Sequence, residues 1–171
     1  MKTFLVRCLA WFISAAASLS AASVNVTDLG AFRGDVAADT ALIQRAIDAC
    51  ATSGGGRVVV PGGAHVTVGS IRLRSHVDLH LERGAVLLAT PRHEEFSITN
   101  PYPVTTRPGD VAPQMGVMIY ADETEDVAIS GYGTIDGNSP AYVEERGVEI
   151  DKAKQFRPYT VVFRASKRVT L

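Results

Sequence analysis

The chain repeats one short pattern, in which a strand of a few apolar residues is followed by a glycine-containing turn. The pattern is densest between Asp126 and Asn138, which reads DVAISGYGTIDGN. Val127 and Ile129 alternate there with small or polar residues, as in a half-buried strand. Glycines and a closing Asp-Gly-Asn turn divide the stretch into two short strands. It therefore predicts strand, corner, strand and corner, which is part of one rung of a coil.

The same pattern recurs at two other places. Residues 76–88 read HVDLHLERGAVLL, and residues 165–171 begin a third copy, ASKRVTL. Short strands that repeat without matching hairpin partners predict a parallel β-helix, in which each rung buries its apolar face by stacking on the next. The copies lie fifty and forty-two residues apart, whereas a single rung takes roughly 20 to 30 residues. Either weak rungs or long surface loops must fill these intervals.

Further strands are predicted before the first copy. Residues 57–60, 65–68 and 71–73 are short β-branched runs closed by small or polar residues, and we interpret them as the first rungs. Residues 24–32 alternate apolar side chains and break at Gly30, which predicts an edge strand entering the fold.

One amphipathic helix is predicted over residues 40–52. Asp39 is the predicted N-cap, and the serine and glycines of residues 53–56 end the helix. A helix of roughly 12 residues is marginal alone, so we expect its apolar stripe to cover the open end of the coil. Cys50 falls on that stripe and is interpreted as a buried structural thiol. The stripe consists of Leu42, Ile43, Ala46, Ile47 and Cys50.

Two segments have no periodicity and are predicted as long loops. Residues 90–115 carry five prolines, and residues 139–158 form a second polar stretch. Loops of this length are usually functional or disordered. On a coil scaffold the first would form part of a groove wall, with Tyr102 and Arg107 as candidate contacts.

His76, Asp78 and His80 occupy alternate positions and so share one face of a predicted strand. Imidazole and carboxylate are ligands that a divalent metal accepts. The apolar residues on the opposite face already account for the alternation, so we interpret this face as a solvent-facing polar side and predict no metal. The three glycines at 54–56 follow a helix and lack a Gly-Lys-Ser/Thr sequence, which excludes a phosphate loop. No cofactor is predicted.

Residues 1–22 are interpreted as a signal peptide. Lys2 and Arg7 precede an apolar run, and small residues end it at Ala22. The apolar run is too short to span a bilayer, which needs about 20 apolar residues. We expect export to the periplasm or the exterior, with residues 23–171 as the mature domain and no membrane contact after cleavage.

Charge and cysteine content limit which kinds of partner and cross-link the protein can have. The 17 basic and 18 acidic residues give a formal net charge of −1, whereas a nucleic-acid partner calls for a basic face. Cys8 would leave with the signal peptide, so the mature chain keeps Cys50 and forms no internal disulfide.

Taken in order, these pieces resemble the N-terminal part of glycoside hydrolase family 28, the polygalacturonase family of the pectate-lyase-like β-helix superfamily. The resemblance covers about residues 24–171. It rests on four blocks, VTDLGAFRGDVAADTALIQRAIDAC, GGGRVVVPGG, DVAISGYGTIDGN and RPYTVVFRASKRVTL. It implies an all-β, right-handed parallel β-helix with an N-terminal capping helix, a pectin-like polysaccharide substrate and a full-length monomer.

The family's later motifs are absent from this sequence. They are an Asn-Thr-Asp, an Asp-Asp pair, a Gly-His-Gly and an Arg-Ile-Lys. Inverting hydrolysis needs two carboxyl groups about 6.5 to 9.5 Å apart. Asp126 and Asp136 are the acidic residues nearest the corners, and turn formation already explains Asp136. We assign no catalytic residue and expect the chain to be an inactive N-terminal piece, incomplete at its C-terminus.

Two alternatives remain open. The coil could be a non-catalytic carbohydrate-binding or structural module, or it could belong to a polysaccharide lyase of the same superfamily. Because the sequence stops inside the apolar strand that ends at Leu171, we also expect the isolated chain not to remain a well-behaved monomer.

Overall fold

The structure is a computed structural model that describes residues 22–99, 115–142 and 158–171. Several predictions lie outside these residues. They concern the signal peptide, the candidate contacts Tyr102 and Arg107, and most of the second long loop. Within the described residues, no helix is long and apolar enough to cross a membrane.

The described residues form short strands with two helices. The helices are α1 (Val36–Thr52) and α2 (Ser139–Tyr142), and single 3-10 turns lie at Val26–Leu29 and His93–Glu95. The strands are β1 (Ala22–Asn25), β2 (Gly56–Val60), β3 (His65–Val68), β4 (Ile71–Arg72), β5 (Val77–Leu81), β6 (Val86–Ala89), β7 (Val117–Asp122), β8 (Glu125–Gly131), β9 (Thr134–Asp136), β10 (Tyr159–Arg164) and β11 (Lys167–Thr170).

The strands pair into three parallel sheets. Sheet A has the order β1-β2-β5-β8-β11, sheet B the order β3-β6-β9, and sheet C the order β4-β7-β10. The chain visits sheets A, B and C in turn, so β2 to β4 form one rung, β5 to β7 the next and β8 to β10 the third. The predicted right-handed parallel β-helix is confirmed.

The register explains the long intervals between the sequence repeats. Asp78 pairs with Ala128, and Val127 pairs with Val169, so each interval is a single rung. The extra residues lie between β6 and β7 and between β9 and β10, both at the corner that leads into sheet C. The described ends of these intervals include the 3-10 turn at His93–Glu95 and the helix α2. Residues 100–114 and 143–157 lie outside the described residues, so the long loops stay a prediction. The interpretation of residues 57–60, 65–68 and 71–73 as separate rungs is wrong, because they are three sides of one rung.

Stacked apolar side chains form the core. Val58, Leu79 and Ile129 occupy one register position in three successive rungs, and each is buried. Burying an aliphatic side chain of this size contributes about 1.5 to 3 kcal/mol. These three side chains belong to one buried cluster, so the core continues from rung to rung along the coil axis.

Close backbone approach fixes a glycine at some corners. Gly131 has a φ of +102°, and a Cβ there would lie 2.0 Å from the carbonyl oxygen of Leu81. Any larger residue would collide with the backbone of the rung below, so the glycine of the sequence repeat is required by stacking.

The N-terminus of α1 differs from the prediction. The helix begins at Val36, and its N-cap is Asp35, whose side chain accepts the backbone N–H of Ala38 at 2.7 Å. Asp39 is instead buried inside the first turn. Its carboxylate accepts the backbone N–H groups of Arg33 at 2.8 Å and Gly34 at 2.9 Å. Asp39 therefore ties the preceding turn to the helix.

The edge strand is also shorter than predicted. Only Ala22–Asn25 pairs with β2. The side chain of Asn25 then accepts the backbone N–H of Thr27 at 3.0 Å and its hydroxyl at 2.7 Å. This local capping bends the chain into the 3-10 turn at Val26–Leu29.

The capping role of α1 is confirmed. All five residues of its apolar stripe are buried, and they belong to the same cluster as Val58 and Val66 of the first rung. Cys50 is buried within this cluster, and burial raises the pKa of its thiol. A neutral buried thiol agrees with a structural role.

The contribution of α1 can be measured by replacing one residue of the stripe. We expect Ile47→Ala to lower the free energy of unfolding by about 2 to 5 kcal/mol, because the fully buried side chain leaves a cavity against the first rung. Urea unfolding followed by circular dichroism measures the loss. The control, Arg45→Ala, changes an exposed residue of the same helix and should stay within about 0.5 kcal/mol. Equal losses in both variants would show that the helix does not cover the coil.

Candidate functional site

The outer face of sheet C follows the corner at which both long intervals of the sequence lie, one before β7 and one before β10. On these strands Ile119, Ala121, Val161 and Phe163 belong to the core or pack against it. The residues between them point outwards. We call the polar members of this face the sheet C row; they are Arg72 on β4, Tyr120 and Asp122 on β7, and Arg164 on β10.

The row is organised by register. Arg72 lies opposite Tyr120, and Asp122 lies opposite Arg164. The guanidinium carbon of Arg72 is 5.2 Å from the centroid of the Tyr120 ring. Arg164 donates a hydrogen bond to Asp122 and lies 3.7 Å from Glu123. The row thus consists of two neighbouring pairs. In one, the Arg72 cation lies over the Tyr120 ring, and in the other, Arg164 forms an ion pair with Asp122.

The row perturbs the ionisation of Tyr120. Its side chain is 4% exposed, and this burial raises the pKa of the phenol above its ordinary value of about 10. The Asp122 carboxylate raises the pKa further, while Arg164 and Arg72 oppose the shift. The phenol is therefore neutral at physiological pH.

The row does not contain a pair of carboxyl groups placed for hydrolysis. Asp122 is hydrogen-bonded to Arg164, so that oxygen is not free to exchange a proton with a substrate. Glu123, the next acidic residue, contacts the same guanidinium. An acid and a base on opposite sides of a glycosidic bond need separate positions. The sheet C row is suited to binding.

Asp78 and His80, two of the three polar residues singled out in the sequence, lie on β5 at the outer face of sheet A. The Oδ1 atom of Asp78 accepts a hydrogen bond from Ser130 at 2.7 Å, and the Nδ1 atom of His80 is 2.7 Å from the same hydroxyl. Arg57 pairs with Asp78 at 2.8 Å. The alternate apolar residues are buried, as predicted. The polar residues therefore form a hydrogen-bonded chain across three rungs.

His76 lies apart from Asp78 and His80, at the corner between sheets C and A. Its Nδ1 atom is 3.3 Å from Asp126, and its φ is 62°. Within residues 22–99, 115–142 and 158–171, no group of three or more histidine, cysteine or acidic side chains is placed to hold a metal ion.

The two corner aspartates serve different corners. Asp126 pairs with Arg168, whose guanidinium lowers the pKa of the aspartate, and His76 adds to the effect. Asp136 accepts the backbone N–H of Asn138 at 2.7 Å and so makes the predicted turn. They lie on β8 of sheet A and β9 of sheet B, and each already has a structural partner.

Sequence reasoning missed the sheet C row because it missed β7. Every residue from Val117 to Ala121 is buried, so the strand lacks the alternation that predicts a half-buried strand. The sequence did contain one signal for this strand. Tyr120 and Asp122 follow an apolar run at positions i and i+2, which places them on one face of a strand. Arg72, between Ile71 and Leu73, carried the same signal on β4.

Comparisons with known proteins agree with this architecture. Residues 23–119 match the family described as "Rhamnogalacturonase A/epimerase, pectate lyase-like". The chain belongs to this pectate-lyase-like family. The resemblance of its motifs to glycoside hydrolase family 28 is also confirmed for the N-terminal part.

Individual relatives match over most of this chain. It is 32% identical over 151 residues to a Vitis vinifera protein named "Probable polygalacturonase", covering 85% of this chain. It is 34% identical over 119 residues, 67% of the chain, to an exo-poly-alpha-D-galacturonosidase of Dickeya chrysanthemi. The family 28 exopolygalacturonase of Yersinia enterocolitica superposes with a TM-score of 0.64 at 21% identity, covering 87% of this chain and 33% of that one, which supports the fold alone.

The chain spans only part of each curated relative. It covers 30% of the Vitis vinifera protein and 19% of the Dickeya chrysanthemi protein. This member of the pectate-lyase-like family therefore corresponds to only a part of each of these longer chains.

The environment of Tyr120 can be tested by titration. We expect Asp122→Asn to lower the pKa of Tyr120 towards its ordinary value, because one of the groups that disfavour the phenolate is removed. The pKa is read from the ¹³C shift of labelled tyrosine, with the signal assigned by Tyr120→Phe. Glu123→Gln, a change at an adjacent side chain that is 75% exposed, is the control and should leave the pKa unchanged.

The same shift predicts a pH dependence of stability. The pKa of Tyr120 is higher in the folded than in the unfolded protein, so its contribution is complete below the unfolded value and is lost as pH rises through the folded value. Tyr120→Phe should flatten this alkaline loss of stability. An unchanged alkaline slope would contradict the assignment.

Proposed function

We propose that this chain forms the N-terminal cap and first coils of a secreted glycoside hydrolase that acts on pectin-type polysaccharide. The observation that carries the proposal is the sheet C face, a polar row on three paired strands that follow the corner where both long intervals lie. The names of the relatives support the substrate class, because they are a polygalacturonase and an exo-poly-alpha-D-galacturonosidase. The polysaccharide is the proposed partner, and no cofactor is required.

We assign no hydrolytic carboxyl group to the acidic residues that the structure describes near the corners and on the row. The acidic residues near the corners are held in turns or ion pairs, as Asp136 and Asp126 are. Asp122 on the row is bonded to Arg164. Because these three aspartates are already engaged, none of them supplies the acceleration of about 10² to 10⁴ that a positioned proton transfer typically contributes.

Activity and binding assays test the two parts of this proposal. The 171-residue chain should release no reducing sugar from polygalacturonate above background, with a family 28 exopolygalacturonase as the positive control. Its migration should be retarded in a gel containing polygalacturonate but not in one containing neutral galactan. Turnover would contradict the expected inactivity, and its loss in Asp122→Asn would then place the chemistry on sheet C. Equal migration in both gels would contradict the substrate class.

Export is part of the same proposal. Residues 1–22 carry the basic start, apolar run and small residues of a signal peptide. We expect the exported protein to begin close to Ser23, as read by N-terminal sequencing. Phe12→Asp places a charge in the apolar run and should keep the protein inside the cell. Exported material that begins at Met1 would contradict the proposal.

A further inference from the structure

A groove lies between α1 and the first strand of sheet C. Its volume is about 630 Å³, within the range of small-molecule sites. Helix α1 forms one wall, and the segment after β6 forms the other. The polar residues that line it are Thr40 and Gln44 on α1, Ser70, Arg72 and Arg74 around β4, and Glu94, Glu95 and Ser97 on the opposite wall.

Arg72 is held in a fixed orientation at this groove. Its backbone N–H donates to the Oε1 atom of Gln44 at 2.8 Å, and its carbonyl accepts from the Nε2 atom of the same side chain at 3.0 Å. Its guanidinium lies over the ring of Tyr120, which is itself buried. Contacts on the backbone and on the ring thus orient the planar donor group before any ligand arrives.

The charge of Arg72 has no counterion in the described part of the chain. Four arginines lie on the described strands, and three of them, Arg57, Arg164 and Arg168, pair with carboxylates of a neighbouring rung. Arg72 faces Tyr120 instead. The other charges of the groove are largely satisfied.

Arg74 pairs with Asp48 at 2.7 Å, and Glu95 pairs with Arg92. Glu94 is exposed on the opposite wall and forms no ion pair within the described residues. An oriented guanidinium without a counterion is an anion receptor, and its planar fork matches a carboxylate with two parallel hydrogen bonds.

We infer that this groove is a binding subsite for the carboxylate of a uronic acid in an acidic saccharide, with Arg72 as its receptor. The groove adjoins the sheet C row at its first strand, so a saccharide lying on the row reaches Arg72 at the capped end of the coil. The carboxylate of Glu94 repels any second negative charge that the ligand would place at the opposite wall. The choice of galacturonate as the uronic acid rests on the proposed function; the carboxylate recognition rests on Arg72.

Calorimetric titration of the 171-residue chain tests the subsite. Trigalacturonate should bind, and its methyl ester, which has the same shape without the charge, should bind more weakly. Arg72→Gln should raise the Kd for trigalacturonate about ten-fold, the effect of losing hydrogen bonds between charged groups. Arg72→Lys keeps the charge without the planar fork and should give an intermediate Kd. Glu94→Gln should lower the Kd, because a repelling charge is removed.

A matched control is available elsewhere on the coil. Arg83 also lies over a tyrosine, with its guanidinium carbon 5.1 Å from the ring centroid of Tyr132, but outside the groove. Arg83→Gln should leave the Kd unchanged. Thermal unfolding of each variant checks that the fold is kept. The inference would be overturned if neither trigalacturonate nor trimannuronate binds, if the acid and its ester have equal Kd values, or if the Kd is unchanged in Arg72→Gln.

Failure of the subsite is distinguishable from failure of the proposed function. If polygalacturonate retards the chain and Arg72→Gln has no effect, the subsite is wrong and the substrate class stands. If trimannuronate binds in an Arg72-dependent way and trigalacturonate does not, the carboxylate subsite stands and the pectin-type substrate is wrong.

Discussion

In-register stacking of parallel strands is the interaction on which the rest of this structure depends. Each inward side chain contacts the residue at the same position one rung away, as Val58, Leu79 and Ile129 do. The first rung has no rung before it on most of its inner surface, and α1 supplies the missing apolar contacts. The helix and the coil are therefore one core, and neither is complete without the other.

Stacking restricts the strands and leaves one corner free. The backbone of Gly131 lies so close to Leu81 that no side chain fits between them, whereas the corner that leads into sheet C accepts two long segments. The entropic cost of closing a loop grows slowly with its length. A long interval at that corner is therefore compatible with the pairing of β7 and β10. Differences in the length of the connections are thus accommodated on one side of the coil, where the sheet C row lies.

The sequence predicted the features that depend on local alternation and missed those that depend on contacts with other parts of the fold. The alternating burial of β5 and the turn at Asp136 follow from side-chain period and turn chemistry. In β7 every residue from Val117 to Ala121 is buried, so its sequence carries no alternation of period two. Asp39 satisfies the usual pattern of an N-cap, but Asp35 takes that role because residues 33 and 34 fold back onto the helix.

The same register that stacks the core also pairs the charges on its surface, and this decides where a ligand finds an open charge. Arg57 meets Asp78 and Arg164 meets Asp122 at directly opposed positions. Such pairs satisfy both charges within the protein. At the corresponding position on β4, the residue opposite Arg72 is Tyr120, which holds the guanidinium through its ring and offers it no negative charge. One aromatic residue in place of an acid thus changes a structural cation into one that is free to bind an anion.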